Sequence, residues 1–551
     1  MDSAFYGADA PGTAPTAEQG DGQGSSGVTD RERPSMGRGI VLGLLVTGVG
    51  LAVAELVVGL VSGSSSPVVP VGQEFIDAAP RGLVDWAKET FGTDQKAVLV
   101  TGAVIVVFGF GTLIGIFAVR GDRGFAYALT AAIGIIGSWA VYRRPEPDLS
   151  KFLPTILGTA ASIAVLWYLS PRPGPAMDDG HHTMMGPDRR QFFTGAVGIG
   201  SAAVVAGGVG RLLQQRNEVD TNFALPGSTP AGGDAAEIAD VVIDRAPSIV
   251  GADLGVDGIE AFVVPNDEFY RIDTALTVPQ VARDSWTLTI DGDVDNPISL
   301  TYADLLERPQ VERYITLSCV SNPVGGDLIG TALWQGVLIK DILEEVGLRP
   351  EAEQLVSRSV DGWTAGTPIE AVTDGRDAML AIGMNGEPLP ARNGFPVRMV
   401  VPGLFGYVSA TKWVTDWRLT RWDEFDAYWI PRGWSKRGPV KTMARIDTPR
   451  SGRSVDGTIA IGGVAWAVHR GVSGVQIRVD EGEWLDCELG TVPSADTWVQ
   501  WKYDWDSTSV DGGRHAITVR AIDGAGEPQP AEPAPVAPDG AQGYHRIVVS
   551  V

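Results

Sequence analysis

Cysteine is scarce in this chain of 551 residues, which has two, Cys319 and Cys487. Two thiols exclude a disulfide-stapled scaffold and the common four-thiolate zinc and iron–sulfur sites. Histidine is scarce too. The five are His181, His182, His469, His515 and His545, and none falls in a long apolar run. A transmembrane haem b takes axial histidines from inside its bundle, so no haem is expected. Basic residues are outnumbered, 43 Lys and Arg against 67 Asp and Glu, for a net charge of −24. Nucleic acid is excluded as a partner, because phosphate backbones need clustered Lys and Arg.

Apolar residues are abundant and unevenly spread. Residues 1–38 are rich in Gly, Ser, Pro and acids and read as a disordered cytoplasmic tail. Four apolar runs follow, Ile40 to Val61, Ala97 to Val119, Phe125 to Tyr142 and Phe152 to Leu169. Each approaches the roughly 20 residues that cross a hydrocarbon core. A fifth, Phe192 to Val209, is mostly Gly, Ala and Val. Its small residues suit either a signal-like core or close helix packing. Residues 39–211 are thus expected to form a transmembrane region of about five helices.

Arg31, Arg33 and Arg38, then Arg120 and Arg123, then Arg172, Arg189 and Arg190 fall on one side of such a bundle. Positive charge marks the cytoplasmic side, so everything after about residue 211 is expected outside the cytoplasm. The loop with Arg143, Arg144 and Lys151 breaks the rule, though Glu146 and Asp148 share it. The pair Arg189-Arg190 is either part of a twin-arginine-like export signal set internally or a plain positive anchor. Glu55, inside the first run, either serves a proton or quinone step, caps a neighbouring helix, or lies nearer the interface than its position suggests.

Residues 212–250 are polar and acidic and read as a linker. Residues 251–442 read as a mixed α+β domain. In it "DSWTLTIDGDV" and "PISLTYADLL" form strand, turn, strand and a short helix begun by Thr301. "YITLSCVSN" is a strand ending at a polar turn, and "GVLIKDILEEVGL" a helix stopped by Gly347. Residues 443–551 alternate short strands with turns, as an immunoglobulin-like β-sandwich does. Trp466, Trp484, Trp498, Trp501 and Trp505 are read there as packing residues, and Cys487 as a small buried hydrophobe.

Composition and spacing alone do not identify the chemistry. Over roughly residues 260–551, however, a chain of segments resembles the sulfite-oxidase family of molybdenum enzymes, in the family's order. "EFYRIDTALTVPQV" is similar to the segment opening the cofactor domain, with Tyr270, Arg271 and Asp273 at the pterin-contact places. "TLSCVSNPVGG" resembles the metal-binding loop, with Cys319 as thiolate ligand and Asn322 three residues on. "TALWQGVLIKDIL" brings Trp334 near the metal face, and "DGWTAGTPIEA" supplies Asp361. "ARNGFPVRMVVPGLFGYVSATKWV" resembles the phosphate clamp, with Asn393 where the family has His, then Arg398, Ser409 and Lys412.

The resemblance implies a multi-domain molecule. An α-helical transmembrane bundle precedes a sulfite-oxidase-type molybdopterin domain and an immunoglobulin-like, dimerisation-type domain. It implies a molybdenum–molybdopterin cofactor bound by Tyr270, Arg271, Asp273, Cys319, Asn322, Asp361, Asn393, Arg398, Ser409 and Lys412. Cys319 holds the metal, and Arg271 helps place the oxygen donor. Soft thiolate suits molybdenum, and a guanidinium fork suits phosphate. Oxygen-atom transfer to or from a small molecule is the implied reaction. Electrons are exchanged with a separate partner or a quinone, and a homodimer forms through the last domain. Sulfite-oxidising members carry Arg after the loop asparagine, whereas Pro323 and Val324 stand here. A less cationic pocket favours a neutral S-oxide or N-oxide, or another oxyanion. The competing expectation is a membrane-tethered binding or sensor protein that reuses this fold without cofactor.

Overall fold

The computed structural model describes residues 36–61, 64–91, 95–144, 148–176, 182–185, 187–227 and 241–551. The tail expected over residues 1–38 lies outside the described residues up to 35. Helix α1 (Met36–Leu60) already begins at Met36.

Two short helices follow, α2 (Val68–Ala78) and α3 (Arg81–Phe91). Then come α4 (Gln95–Arg120), α5 (Arg123–Tyr142), α6 (Leu149–Leu169) and α7 (Arg189–Arg216). Among the described residues, α1, α4, α5, α6 and α7 are long and apolar enough to cross a membrane. Between α6 and α7, β1 (Arg172–Ala176) pairs antiparallel with β2 (His182–Met185).

Small residues line the helix contacts, as lipid-phase packing favours. A methyl added at Gly43 would lie 2.0 Å from the Gly111 carbonyl oxygen, and one at Gly115 2.0 Å from that of Gly39. Ser162 donates to the Val46 carbonyl at 2.9 Å. Glu55 is half-buried near the end of α1, where its Oε2 accepts from Gln214 of α7 at 2.9 Å. That contact ties two helix ends together.

The linker expected over 212–250 is corrected by the structure. Helix α7 runs to Arg216, and residues 217–227 pack on the next domain, while 228–240 lie outside the described residues. Leu225 is buried against Gly383, Phe223 meets Phe395 and Tyr302 edge-on, and the Pro226 carbonyl accepts from Gln335 at 2.9 Å. Apolar anchors at 223 and 225 defeat the polar composition around them.

The central domain has two sheets. Its strands begin with β3 (Ile243–Asp244), β4 (Thr287–Gly292), β5 (Ile298–Thr301), β6 (Gln310–Ser318) and β7 (Ile329–Leu338). They continue with β8 (Gln354–Ser359), β9 (Thr364–Pro368), β10 (Met379–Met384), β11 (Glu387–Pro388), β12 (Arg398–Val400) and β13 (Val414–Thr420). One sheet has the order β11-β10-β7-β6-β3 with β12 also on β10, and the other β5-β4-β13-β8-β9. Helix α8 (Tyr302–Leu306) starts at Thr301, which forms a capping box with Asp304. Helix α9 (Ile339–Val346) stops at Gly347, at φ 69°. The expected helix in "GVLIKDILEEVGL" begins later, because Gly336 to Leu338 extend β7 across β10. A short helix α10 (Glu370–Thr373) follows β9.

The last domain is a sandwich of two antiparallel sheets. Its strands are β14 (Met443–Thr448), β15 (Thr458–Trp466), β16 (Val472–Val479), β17 (Leu485–Asp486), β18 (Glu488–Leu489), β19 (Val499–Asp506), β20 (Arg514–Asp523) and β21 (His545–Ser550). The orders are β14-β15-β19-β18 and β17-β16-β20-β21. Trp466, Trp498, Trp501 and Trp505 are buried, as packing residues should be. Trp498 reaches across to the central domain. Its indole donates to the Phe262 carbonyl at 2.9 Å and its backbone N–H to Thr316 at 2.7 Å.

Candidate cofactor site

Strand β6 delivers Cys319 one residue past its end, on the edge where the sheet turns away. The thiol is buried, and its sulfur accepts from the Ser321 N–H at 3.4 Å. Asn322 closes this loop by accepting from Leu328 N–H at 3.0 Å. Gly325 is at φ 77°, and a methyl added there would lie 2.4 Å from His545 Nε2. Only glycine meets both conditions. The sandwich thus touches the loop directly. Arg445 also donates to the Gly326 carbonyl at 3.0 Å, while Asp447 at 2.5 Å and Glu260 at 3.7 Å hold its charge.

Arg398 enters from β12, which is registered on Ala381 of β10. Its guanidinium lies 4.8 Å from the Trp334 ring centroid and donates to the Asn393 carbonyl at 3.0 Å. Phe269 meets that indole edge-on and stacks on Tyr270. Gly394, at φ 120°, lets the chain turn between the two cations of the site. A methyl there would meet Arg398 Cβ at 3.0 Å and Lys412 Cβ at 3.2 Å.

Asp273 joins the remaining groups. Its carboxylate, 6% exposed, accepts from Lys412 at 2.5 Å, Lys96 at 2.7 Å and Arg271 Nε at 2.8 Å. Burial alone would raise this carboxyl, but the cations, led by Lys412, outweigh it and hold it well below the usual carboxylate range. Burial lowers Lys412 to about 8 against the attraction of Asp273, and lowers Arg398 to about 10. Burial pushes the Tyr270 phenol far up. A negative charge on Cys319 adds to that rise and Arg398 opposes it, so Tyr270 stands within reach of both.

The sequence-derived residues fall into two groups. Tyr270, Arg271, Asp273, Asn393, Arg398 and Lys412 converge, with Cys319 in electrostatic reach of Tyr270. Asp361 joins them indirectly, accepting from Thr274 at 3.2 Å. Ser409 does not face the cluster by its proton, which goes to the Phe405 carbonyl at 3.0 Å and Leu404 at 3.3 Å within its own turn. Arg271, expected to place an oxygen donor, instead grips Asp273 with Nε and, at 3.3 Å, its second nitrogen. Lys96, Arg445 and His545 escaped the sequence reading. Lys96 sits at the head of an apolar run, where a lysine ordinarily marks a membrane edge.

Several features suit a bulky polar anionic cofactor. Among the described residues, buried Asn322 Nδ2 and Asn393 Oδ1 have no hydrogen-bond partner, and buried polar atoms are normally satisfied. Three cations share the Asp273 carboxylate, Lys412 buried and Lys96 and Arg271 half-buried. Among the described residues no cluster of three or more His, Cys, Asp or Glu could ligate a metal by itself. One thiolate is adequate where a dithiolene adds two sulfurs.

Comparison with known proteins agrees. An oxidoreductase molybdopterin-binding domain matches residues 275–429, which span Cys319, Asn322, Asp361, Asn393, Arg398, Ser409 and Lys412. A bacterial Ig domain matches 443–519. The chain is 29% identical to sulfite oxidase of Gallus gallus over 325 residues, 50% of this chain and 70% of that protein. It is 33% identical to the uncharacterized oxidoreductase YuiH of Bacillus subtilis (strain 168) over 153 residues, 28% of this chain and 74% of that protein. The crystal structure of the sulfane dehydrogenase SoxCD from Paracoccus pantotrophus aligns over 53% of this chain and 84% of its own, at 22% identity and TM-score 0.46. Shared sequence of this depth, through the stretch that carries the thiol, makes this chain a member of the sulfite-oxidase family of molybdopterin-dependent oxidoreductases and an enzyme of that class.

Proposed function

We propose that this enzyme is anchored in the cell membrane and transfers an oxygen atom to or from a small S-oxide, N-oxide or oxyanion outside the cytoplasm. The convergence of Arg398, Lys412 and Tyr270 on the surroundings of Cys319 carries this reading. Cys319 would hold the metal as thiolate. Lys412, Arg398 and Arg271 would take the anionic end of the pterin, and the unpartnered Asn322 and Asn393 atoms would face its polar edge. When bound, this group supplies two-electron oxygen-atom exchange. Tyr270 keeps its proton and offers a hydroxyl beside the thiolate. Electrons pass to or from a separate redox partner or a quinone.

The substrate reading rests on charge. Pro323 and Val324 bring no cation to the loop. Arg445, which touches it, is neutralised by Asp447 and Glu260. Burial, then Arg445, lowers the His545 pKa against the pull of Asp447, so His545 is neutral at pH 7. A pocket so balanced favours a neutral oxide over sulfite.

The membrane reading rests on the helices. Arg38, Arg120, Arg123, Arg189 and Arg190 stand at the helix ends remote from the catalytic domain. Arg143 and Arg144, which broke the charge rule, stand at the near ends and pair with Glu74 and Asp77 of α2. Arg211 and Arg216 also stand at the near end of α7, so the reading draws its support from the five far-side arginines and from the acid partners of Arg143 and Arg144.

The test is purification of the full chain from molybdenum-replete cells. We expect about one molybdenum and one pterin per chain, with the metal lost in Cys319→Ala. Turnover of S-oxides or N-oxides with a reduced dye as donor should exceed turnover of sulfite with an oxidised dye as acceptor. Wild-type protein without molybdenum would overturn the reading.

A further inference from the structure

The catalytic domain does not build its anion site alone. Residues 271–276 lie directly under the membrane part and are gripped from it at two points. Lys96, in the first turn of α4, gives one proton to Asp273 at 2.7 Å and another to the Ala275 carbonyl at 2.8 Å. Gln73, on α2, donates to the Thr274 carbonyl at 3.0 Å. Helix α2 is itself fixed from both sides. Arg144 at the end of α5 holds Glu74, and Tyr428 of the catalytic domain donates to Asp77 at 2.7 Å.

Lys96, Lys412 and Arg271 meet one carboxylate. Their surplus of positive charge is reduced but not cancelled by Asp361, whose oxygens are engaged by Thr274 and the Trp363 N–H. Buried Arg398, which acts electrostatically on Lys412, adds to the surplus. Lys412 and Arg398 are buried, buried positive charge is costly without enough negative charge beside it, and a phosphate dianion suits this arrangement. Of the three cations on Asp273, Lys412 alone falls within the matched residues 275–429, and Arg271 stands just before them.

We propose that Lys96 is a cofactor-binding residue, the membrane part's contribution to the site for the phosphate group of the pterin cofactor. This rests on the molybdenum reading above. The membrane helices then act as more than an anchor, since they close the site over a strip of the catalytic domain. Cofactor leaves only when Lys96 lets go.

The experiment follows cofactor retention in the full detergent-solubilised chain. Loaded protein is dialysed, and its molybdenum and pterin are measured over time by elemental analysis and pterin fluorescence. Lys96→Gln should lose both about fivefold faster or more, the loss of one charge-assisted contact. Lys96→Arg should retain them nearly as the wild type does. Gln73→Ala, which loosens the same strip without changing its charge, should also retain them. Retention by Lys96→Gln equal to wild type would overturn the proposal. So would equal losses from Gln73→Ala and Lys96→Gln, which would make the contact a latch between domains. If wild type carries no molybdenum, the oxidoreductase reading itself fails, and that result is distinct from either.

Discussion

Asp273 has three cations for partners and almost no solvent. Replacing it by Asn leaves those cations facing one another, and unpaired buried charge is expensive. Asp273→Asn should therefore destabilise the outer region by about 3 kcal/mol, read as a lowered denaturation midpoint. The pH dependence has a definite sign. An acid whose folded pKa is depressed contributes stability that is fully present above the unfolded value, near pH 4. That contribution is lost as pH falls further, through the lower folded value. Wild type should lose stability in that acid window, and Asp273→Asn should lose less of it.

At the scale of elements, the contact between the sandwich and the metal loop makes the clearest demands. Gly325→Ala forces a side chain into the left-handed region and into the His545 ring at once. We expect a cost of about 2 kcal/mol and a lowered molybdenum content. His545 is held neutral, so the unfolded chain binds its proton more readily. Stability should then fall as pH drops through the ordinary histidine range, near 6.5. His545→Gln should flatten that slope in a thermal-melt series.

Much of this level was legible beforehand. Thr301 and Gly347 mark their helix ends because caps are local chemistry, carried by one residue and its neighbours. Cys319 and Arg398 were singled out through motif order. The grip of Lys96 on Asp273 was not, because 177 residues separate them. No periodicity encodes such a meeting. The polar stretch after residue 216 misled for a related reason. Two apolar side chains, Phe223 and Leu225, outweigh the mostly polar residues 217–222 beside them once a groove exists for them.

The whole molecule has a direction. Arg38, Arg120, Arg123, Arg189 and Arg190 stand at helix ends away from the catalytic domain, so a single labelling experiment reads the molecule's sidedness. A cysteine placed at Gly121, between α4 and α5, should react with an impermeant maleimide only after cells are opened. One placed at Asp511, in the sandwich, should react in intact outer-membrane-permeabilised or wall-stripped cells. The reverse pattern would invert the molecule.

The glycine seam between α1 and α4 carries a consequence that reaches well beyond packing. Gly43 and Gly111 leave no slack for either helix to slide. Fifteen positions separate Gly111 from Lys96, roughly 22 Å of rigid rod. On the proposed membrane reading the seam is a ruler, setting the height at which one ammonium group leaves the helix bundle. A bulkier residue at Gly43 or Gly111 would shift Lys96 from a distance, and the proposed role of Lys96 predicts weaker cofactor retention from such a change.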